Sequence, residues 1–576
     1  MGGLWPPMPP DRLTAPKRDP DNERLRPMLL NQLHALQQQH GYLPQAELEE
    51  LARRLHRPLY EIHGLATFYP HFRLTPAPAL RIRLCQDLAC YMKSGAAFQA
   101  QVEGLARQAG SGFELSACSC LGQCERAPAA EINGRVVAGQ DQVMTALSRG
   151  AAGAGEPGTP HGAGPAGVIE PYGDGERYQA LHQIIEQDGG RRVIAELESA
   201  GLRGMGGAGF PAGTKWKLVR DTPGDEKYVI CNADESEPGT FKDRLLLERY
   251  PHLVLEGMLL GGYVTGARRG IVFLRHEYEA PRRAFERALA AARERGVIGP
   301  AAFGPGRGFE IELFISPGGY ICGEETALLE ALEGKRAEPR NKPPFPGTHG
   351  LFQRPTLINN VETFAWIPVI LRRGADWWKQ QGRSGCTGLK YLALSGDVER
   401  PGVYEVPLGL PVRELIEDHG GGIAGGRRLK AFAPGGASSG FLPAPMADIA
   451  LDFKALAQAG SMLGSGAVVA VAEGRCMLDL ALNLVRFFRN ESCGKCVPCR
   501  TGSAKLVEIM ERARRGAGEP ADYERIDALA QVMGDTSICG LGQVAAWPLT
   551  SVIKHFPEEL RAHLVERRCP ERVCAL

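Results

Sequence analysis

Residues 491–500 read Glu-Ser-Cys-Gly-Lys-Cys-Val-Pro-Cys-Arg, which sets Cys493, Cys496 and Cys499 three positions apart. Three thiolates this close can turn inward on one metal centre, and a fourth ligand must come from elsewhere. That is the spacing of a [4Fe–4S] site, whereas a zinc finger usually pairs two Cys with two distant ligands. Gly494 and Pro498 suit a tight ligating loop. The stretch implies one-electron chemistry. It also decides the fold around it: MLDLALNLVRFFRN (477–490) runs into the loop with helical periodicity. TGSAKLVEIMERARR (501–515) and IDALAQVMGD (526–535) run out of it the same way. Residues 473–565 are therefore expected to form a helical bundle carrying the cluster.

Four further Cys lie near enough in sequence to supply the fourth ligand: Cys476, Cys539, Cys569 and Cys574. Cys539 is favoured. It sits in GDTSICGLG beside Gly540 and Gly542, where a helix-to-loop transition frees backbone N–H groups for the cluster sulfurs. Cys476 opens the helix ahead of the loop and reads as a packing residue. Cys569 and Cys574 form a C-x4-C pair in the tail (566–576), a weak pattern that reads as inert or disordered. The thirteen His are scattered and read as surface or core rather than as ligands.

The chain has 576 residues, enough for about four domains of ~150 residues. Lys plus Arg (67) balances Asp plus Glu (66), which gives no reason to expect nucleic acid or an acidic surface as partner. Fifteen Cys are too sparse for a disulfide scaffold, and their clustering points to metal in a reducing compartment. The N-terminus has no apolar run of signal-peptide type and reads as a flexible Pro-rich arm over 1–24. The longest uncharged segment, Ala455 to Ala472, is interrupted by Gly460, Gly464 and Gly466 and reads as a buried loop and strand rather than a bilayer span. A soluble, cytoplasmic protein is expected.

Residues 25–78 form a helical segment: one amphipathic helix with Leu29, Leu33 and Leu36 on a face, ended by Gly41, and a second opened by Pro44. From residue 79 to 150 the pattern changes to short strands (LRIRLCQD, FELSACSC, AAEINGRVVAG) around a helix GAAFQAQVEGLARQAG. Cys85 and Cys90, then Cys120 and Cys124, are two pairs at strand ends that can close on a [2Fe–2S] cluster, with Cys118 as a competing thiol. Residues 151–168 are a Gly/Pro/Ala linker. Residues 169–370 alternate helix and strand as a layered α/β domain, 388–455 read as a small β-grasp-like module, and the bundle follows.

Within the α/β domain, Gly204, Gly206 and Gly209 match G-x-G-x-x-G. A helix, VIAELESAG, precedes the loop where the dinucleotide fingerprint requires a strand, so this is not the usual Rossmann turn. The loop can still bring bare N–H groups against a phosphate or flavin, with Lys215 as a nearby cation. CNADESEPGTFKDR (231–244) and GGYICGEETALLE (318–330) place acids after strands, where carboxylates suit ribose or ribityl hydroxyls. Lys342 and Phe345 offer a cation and an aromatic plane. Gly436, Ser438 and Gly440 fit the G-x-S-x-G hydrolase pattern, but no helix follows and nucleophilic catalysis is set aside.

Taken together, GLRGMGGAGFPAGTKW, CNADESEPGTFKDR, YICGEETALLE, KPPFP, NNVET, ESCGKCVPCR and SICGLG resemble the family of NADH-oxidising flavin subunits of respiratory complex I and its soluble relatives. Residues 25–150 resemble the companion protein of that family, with its thioredoxin-like [2Fe–2S] domain here fused in front. The resemblance implies an α/β multidomain chain with a Rossmann-like FMN/NAD domain. It implies FMN on Gly204, Gly206, Gly207, Lys215, Asn232, Asp234, Glu235, Gly323, Glu324, Asn359, Asn360 and Thr363. It implies NAD(H) at Phe210, Glu237, Tyr320, Glu325, Lys342 and Phe345, with the hydride site lined by Glu325, Phe210 and Tyr320 and no acid–base pair. Met205 departs from the family's usual Arg, and Pro317 and Gly319 depart from its usual Gly and Ala. The expected role is a diaphorase, and HGLFQRPTLINNVET and ADWWKQQGR look most like the β subunit of a soluble NAD-dependent formate dehydrogenase. Its partner would be a large molybdenum- or tungsten-dependent α subunit. The alternatives are the diaphorase of a NAD-reducing hydrogenase, a complex-I-type NADH dehydrogenase subunit, or a relay subunit with a defunct flavin site.

Overall fold

The computed structural model describes residues 28–108, 112–148, 172 and 176–574. The arm expected over 1–24 and the linker expected over 151–168 lie outside these residues.

Three N-terminal helices, α1 (Met28–His40), α2 (Gln45–Arg54) and α3 (Leu59–Phe68), open the chain. The sequence reading gives the first two. The third starts where Pro58 fixes an extended N-cap, and it buries Ile62, Leu65 and Ala66. Leu29, Leu30 and Leu33 share one core with residues of the central α/β domain and the C-terminal bundle, and Tyr69 donates to the Lys335 carbonyl at 2.7 Å. The segment thus packs on the large domains.

The small α/β domain is a four-stranded sheet in the order β2-β1-β3-β4, from Leu80–Cys85 (β1), Phe113–Cys118 (β2), Ala129–Ile132 (β3) and Arg135–Ala138 (β4). β1 runs parallel to β2 and antiparallel to β3. Ile82, Phe98, Val102, Ile132 and Val143 fill its core, between the sheet and helices α4 (Leu88–Gln108) and α5 (Gln140–Ser148). Helical structure begins at Leu88, before the expected Gly95. Gly95, at φ 57°, breaks it into two pieces, and Cys90 sits on the first.

The central domain is a parallel sheet, β7-β6-β5-β8, from Tyr228–Ala233 (β5), Arg269–Arg275 (β6), Glu310–Ser316 (β7) and Thr356–Asn360 (β8). Helices cover both faces, so β5 reads as a continuous apolar run rather than an alternating one. The helices used below are α6 (Gly190–Ala200), α7 (Ala212–Asp221), α8 (Lys242–Arg249), α9 (Pro251–Thr265), α10 (Glu279–Glu294), α11 (Glu325–Leu332) and α12 (Val361–Arg373). The glycine loop joins α6 to α7, confirming that a helix and not a strand precedes it.

A second sheet, β10-β9-β13-β11-β12, is built from Leu389–Gly396 (β9), Gly402–Pro407 (β10), Leu429–Ala433 (β11), Leu442–Pro443 (β12) and Ala467–Ala472 (β13). Its central strand, AVVAVA, is buried throughout and comes from beyond residue 455, where the sequence reading ends this module. The C-terminal bundle is α13 (Met477–Glu491), α14 (Val497–Arg514), α15 (Asp522–Thr536), α16 (Trp547–His555) and α17 (Pro557–Leu564). Among the described residues no helix is long and apolar enough to cross a membrane.

Candidate flavin, nucleotide and cluster sites

A cavity of about 580 Å³ opens where the parallel sheet, the second sheet and the bundle meet. Gly206 and Gly207 reach it from the glycine loop, Asn232, Asp234, Glu235 and Glu237 from the end of β5, Tyr320, Gly323 and Glu324 from the loop before α11, and Asn360 from the end of β8. These are the strand-end crevices that open α/β sheets offer to ligands. The glycine loop lies close to Asn360: a Cβ at Gly206 would stand 2.8 Å from the Asn360 Cβ. Bare backbone is therefore required there.

The carboxylates differ in what they do. Asp234 accepts from Ser236 and Ser316, each at 2.6 Å, and burial pushes its pKa up to about 6. Glu235 lies on the cavity wall but is engaged by the N–H groups of Asp243 (2.9 Å) and Arg244 (3.2 Å) and by the Tyr278 hydroxyl (2.9 Å). Burial raises it to about 7. Glu237 accepts the Tyr320 hydroxyl on one oxygen and the Ser438 N–H (2.8 Å) on the other. Glu324 caps α11 through the Thr326 and Ala327 N–H groups, both at 2.9 Å, and holds Lys342 at 2.9 Å.

Other expected contact residues stand beside this cavity rather than on it. Lys215 lies 3.9 Å from Glu325 and 6.0 Å from the Phe210 ring centroid, and Lys342 bonds Glu325 at 3.3 Å. Phe210 and Phe345 are large apolar rings left 49% and 54% exposed at this end of the domain. Asn359 and Thr363 act from behind. Thr363 accepts the Met205 N–H at 2.9 Å, and the Asn359 amide oxygen, in the orientation that satisfies both its ends, accepts from Trp216 Nε1 at 2.9 Å. The Met205 side chain points into the core and does not line the cavity. Arg203, two residues earlier, lines the cavity instead.

Several lining residues escaped the sequence reading. Gly435, Ser438, Phe453, Met462, Gly464 and Ser465 reach the cavity from the second sheet. Ser438, set aside as a hydrolase decoy, lies 3.1 Å from the Tyr320 hydroxyl. Gly540 and Leu541, which directly follow Cys539, also line the wall.

Cys493, Cys496 and Cys499 gather at the start of α14, and Cys539 caps the short helix 540–544 that faces them. Gly542, three residues after Cys539, packs against Cys499: a Cβ there would stand 2.9 Å from the Cys499 Cβ. Burial raises the Cys539 thiol to about 12, opposed by the Gly542 and Leu541 N–H groups aimed at its sulfur. Such thiols become thiolates when a metal binds, and N–H donors to sulfur are what a cluster uses. Cys476 lies elsewhere in the bundle, 3.8 Å from Cys574. Of the two tail cysteines, Cys569 is buried and Cys574 partly buried.

Cys85, Cys90, Cys120 and Cys124 are all buried. Cys120 and Cys124 stand 3.5 Å apart, and the Gly122 N–H donates to the Cys120 sulfur at 3.4 Å. Cys118 pairs in register with Cys85, but its thiol sits among Arg83 and Glu131 and lines a second cavity of about 600 Å³. That cavity shares Ser236 and Tyr320 with the first. Both thiol quartets suit iron–sulfur clusters, and the loop-lined cavity suits a flavin.

Comparisons with known proteins agree with this layout. Residues 197–369 match the Nuo51 FMN-binding domain, 479–563 the NADH-ubiquinone oxidoreductase-F iron-sulfur binding region, 18–147 the thioredoxin-like [2Fe-2S] ferredoxin, and 391–442 the SLBB domain. The F 2 subunit of the NADH-quinone oxidoreductase of Rhizobium meliloti (strain 1021) is 45% identical over 403 residues, 70% of this chain and 96% of the relative. NADP-reducing hydrogenase subunit HndC of Solidesulfovibrio fructosivorans is 44% identical over 397 residues, 69% of this chain and 81% of the relative. A chain of a NAD+-reducing [NiFe]-hydrogenase in the H2-reduced state superposes with TM-score 0.82 at 32% identity, covering 94% of each chain.

Proposed function

This chain belongs to the family of the NADH-quinone oxidoreductase F subunits, an NAD-dependent flavin and iron–sulfur electron-transfer family, and from that premise we propose that it is the diaphorase subunit of a larger enzyme. The observation that carries the proposal is the shared wall: Gly540 and Leu541, next to Cys539, line the same cavity as the glycine loop and the acidic loop. One pocket thereby adjoins both a flavin seat and a cluster ligand.

FMN, when bound, accepts hydride from NADH and releases electrons singly to the clusters. The chain's own work is seating and orientation. Gly206 and Gly207 present bare backbone, and Asn232, Asp234 and Asn360 offer polar groups to ribityl hydroxyls. Phe210 and Phe345 give exposed ring faces for the nucleotide bases. Glu237 and Tyr320 hold each other in fixed geometry where the nicotinamide would lie, and Lys342 is held by Glu324 and Glu325 above the groove. No proton needs to move between protein groups for hydride transfer, which fits a pocket without a poised His.

For the partner, we propose a molybdenum- or tungsten-dependent formate dehydrogenase α subunit, on the likeness of HGLFQRPTLINNVET and ADWWKQQGR to such β subunits. The second reading, a NAD-reducing hydrogenase diaphorase, draws on the match to a [NiFe]-hydrogenase chain along nearly its whole length. Co-purification from the native host decides between them: molybdenum or tungsten with formate-dependent NAD reduction supports the first, nickel with hydrogen-dependent reduction the second. The isolated chain, reconstituted with FMN, should reduce ferricyanide with NADH. Clusters without flavin binding, and no dye reduction, would overturn the diaphorase reading.

A further inference from the structure

Cys476, His563, Cys569 and Cys574 each place one ligand atom within 4.8 Å of all the others. None belongs to either thiol quartet described above. Cys476 caps the start of α13, His563 lies in the last turn of α17, and Cys569 and Cys574 follow on the chain's final stretch. We propose that these four residues bind one zinc ion in a closed, tetrahedral Cys3His structural site that staples the C-terminal stretch to the helix leading into the [4Fe–4S] loop.

The spacing selects a single ion. Zinc bonds are about 2.3 Å to thiolate and about 2.0–2.1 Å to imidazole, so tetrahedral geometry puts two sulfurs about 3.8 Å apart and a sulfur and nitrogen about 3.5 Å apart. Cys574 Sγ and Cys476 Sγ are 3.8 Å apart, and Cys476 Sγ and His563 Nε2 are 3.5 Å apart. A disulfide needs about 2.05 Å between sulfurs. A [4Fe–4S] cluster binds each ligand to a different iron and a [2Fe–2S] cluster divides its four between two irons, so neither brings all four ligand atoms within 4.8 Å of one another, as these are.

The surroundings fit as well. His563 Nδ1 lies 2.7 Å from the Glu559 carbonyl. Nδ1 is thereby the donor, leaving the Nε2 lone pair turned to the cysteines, as a ligating imidazole requires. His563, Cys476 and Cys569 are buried, which closes the site to water as structural zinc sites are closed. Three thiolates and Zn2+ leave one negative charge, and Arg514, which also pairs with Asp479 at 2.7 Å, lies beside Cys574. Thiolate-rich sets select zinc among the abundant divalent ions. Lys430 reinforces the junction: it donates to the Arg475 carbonyl (2.6 Å) and pairs with Glu559 and Glu571 on the two elements that supply the other ligands. The site holds the far end of α13, whose near end is Glu491 at the cluster loop, so it anchors the cluster helix without touching flavin or nucleotide.

The full chain, purified anaerobically with its clusters, should carry about one zinc per chain by elemental analysis. A C569S/C574S double variant should lose at least nine-tenths of it while retaining flavin and iron, and its thermal midpoint should fall by several degrees. Cobalt grown in place of zinc should show tetrahedral thiolate bands that the double variant lacks. Zinc absent from the native chain, unchanged zinc in the variant, or iron lost in step with the two cysteines would overturn the proposal. Should the variant not accumulate, mercurial titration of the native chain decides: release of about one zinc to a colorimetric chelator supports the site, and no release overturns it.

Discussion

Asp234 shows how a single buried acid on the cavity wall makes folding stability pH-dependent. Its folded-state pKa, about 6, lies above the ordinary carboxyl value because burial disfavours the charged form. The folded protein therefore holds a proton that the unfolded chain has lost. By linkage, the stability this group contributes is fully present below about pH 4 and disappears as pH rises through 6. Between pH 5 and pH 7 the loss is about 1 kcal/mol. Urea denaturation of the apo chain at these two pH values should show Asp234→Asn shrinking the wild-type difference by that amount. An unchanged difference would mean that Asp234 is already ionised at pH 5. The role of Asp234 as a pocket group was legible because a run of polar residues after an apolar strand is a local signal. Ser438, Phe453 and Gly464 were not legible. They reach the cavity only because the second sheet folds over the first, and no neighbour in sequence marks them.

The elements that carry the clusters answer to the same distinction. The clustering of Cys493, Cys496 and Cys499 was legible because the three lie within seven residues of chain. The expectation for Cys539 rested on its flanking glycines alone. Gly542 is constrained by packing: a Cβ there would stand 2.6 Å from Ser537 and 2.9 Å from the Cys499 Cβ. Gly542→Ala should therefore displace the helix 540–544 from the start of α14 and cost the chain most of the iron of that cluster. Iron analysis and low-temperature EPR should show this loss while flavin content stays within about twofold. The quartet Cys476, His563, Cys569 and Cys574 was invisible in sequence because its members are spread over nearly a hundred positions and meet only at a helix crossing. Glu362 of α12 gives a second element-scale test. It is buried with Lys242 (3.1 Å) and Lys390 (3.0 Å), and it accepts the Tyr391 N–H of β9 at 2.8 Å. Glu362→Gln leaves the buried Lys390 ammonium without its counter-charge, while Lys242 keeps Asp243 at 2.6 Å, a loss on the order of 3 kcal/mol. Chemical denaturation should show the drop; a change below 1 kcal/mol would mean that water reaches the lysines.

At the scale of the molecule, two arginines join the [2Fe–2S] domain to the flavin domain. Arg275, at the end of β6, is fully buried; it donates to the Cys120 carbonyl at 2.7 Å and to Glu277 at 3.0 Å, and also reaches the Glu235 carbonyl. Arg244 of α8 reaches the Gly122 carbonyl and Glu125. Gly122 itself lies so close to Tyr278 that a Cβ would stand 2.7 Å from the ring. The loop that carries Cys120 and Cys124 is thus pinned to the strand end that carries Glu235, one residue from the Ser236 shared by both cavities. A fused domain could have been a loosely tethered accessory, and its sequence says nothing on that point, because buried arginines reveal their partners only once the domains are docked. The pinning fixes the loop of Cys120 and Cys124 relative to the cavity wall at Glu235. Arg275→Ala should break it: an uncharged residue leaves the Cys120 and Glu235 carbonyls without donors and the Glu277 carboxylate buried and unpaired, a cost on the order of 3 kcal/mol at the interface. Rapid-freeze EPR after mixing with NADH should show the [2Fe–2S] signal developing at least tenfold more slowly in the variant. The [4Fe–4S] signal and NADH-dependent ferricyanide reduction should slow far less, because Arg275 touches the flavin-side cavity wall only through the Glu235 carbonyl. Equal slowing of both clusters would place the effect in the flavin pocket instead. Wild-type kinetics at both would show that docking does not govern electron entry to the front domain.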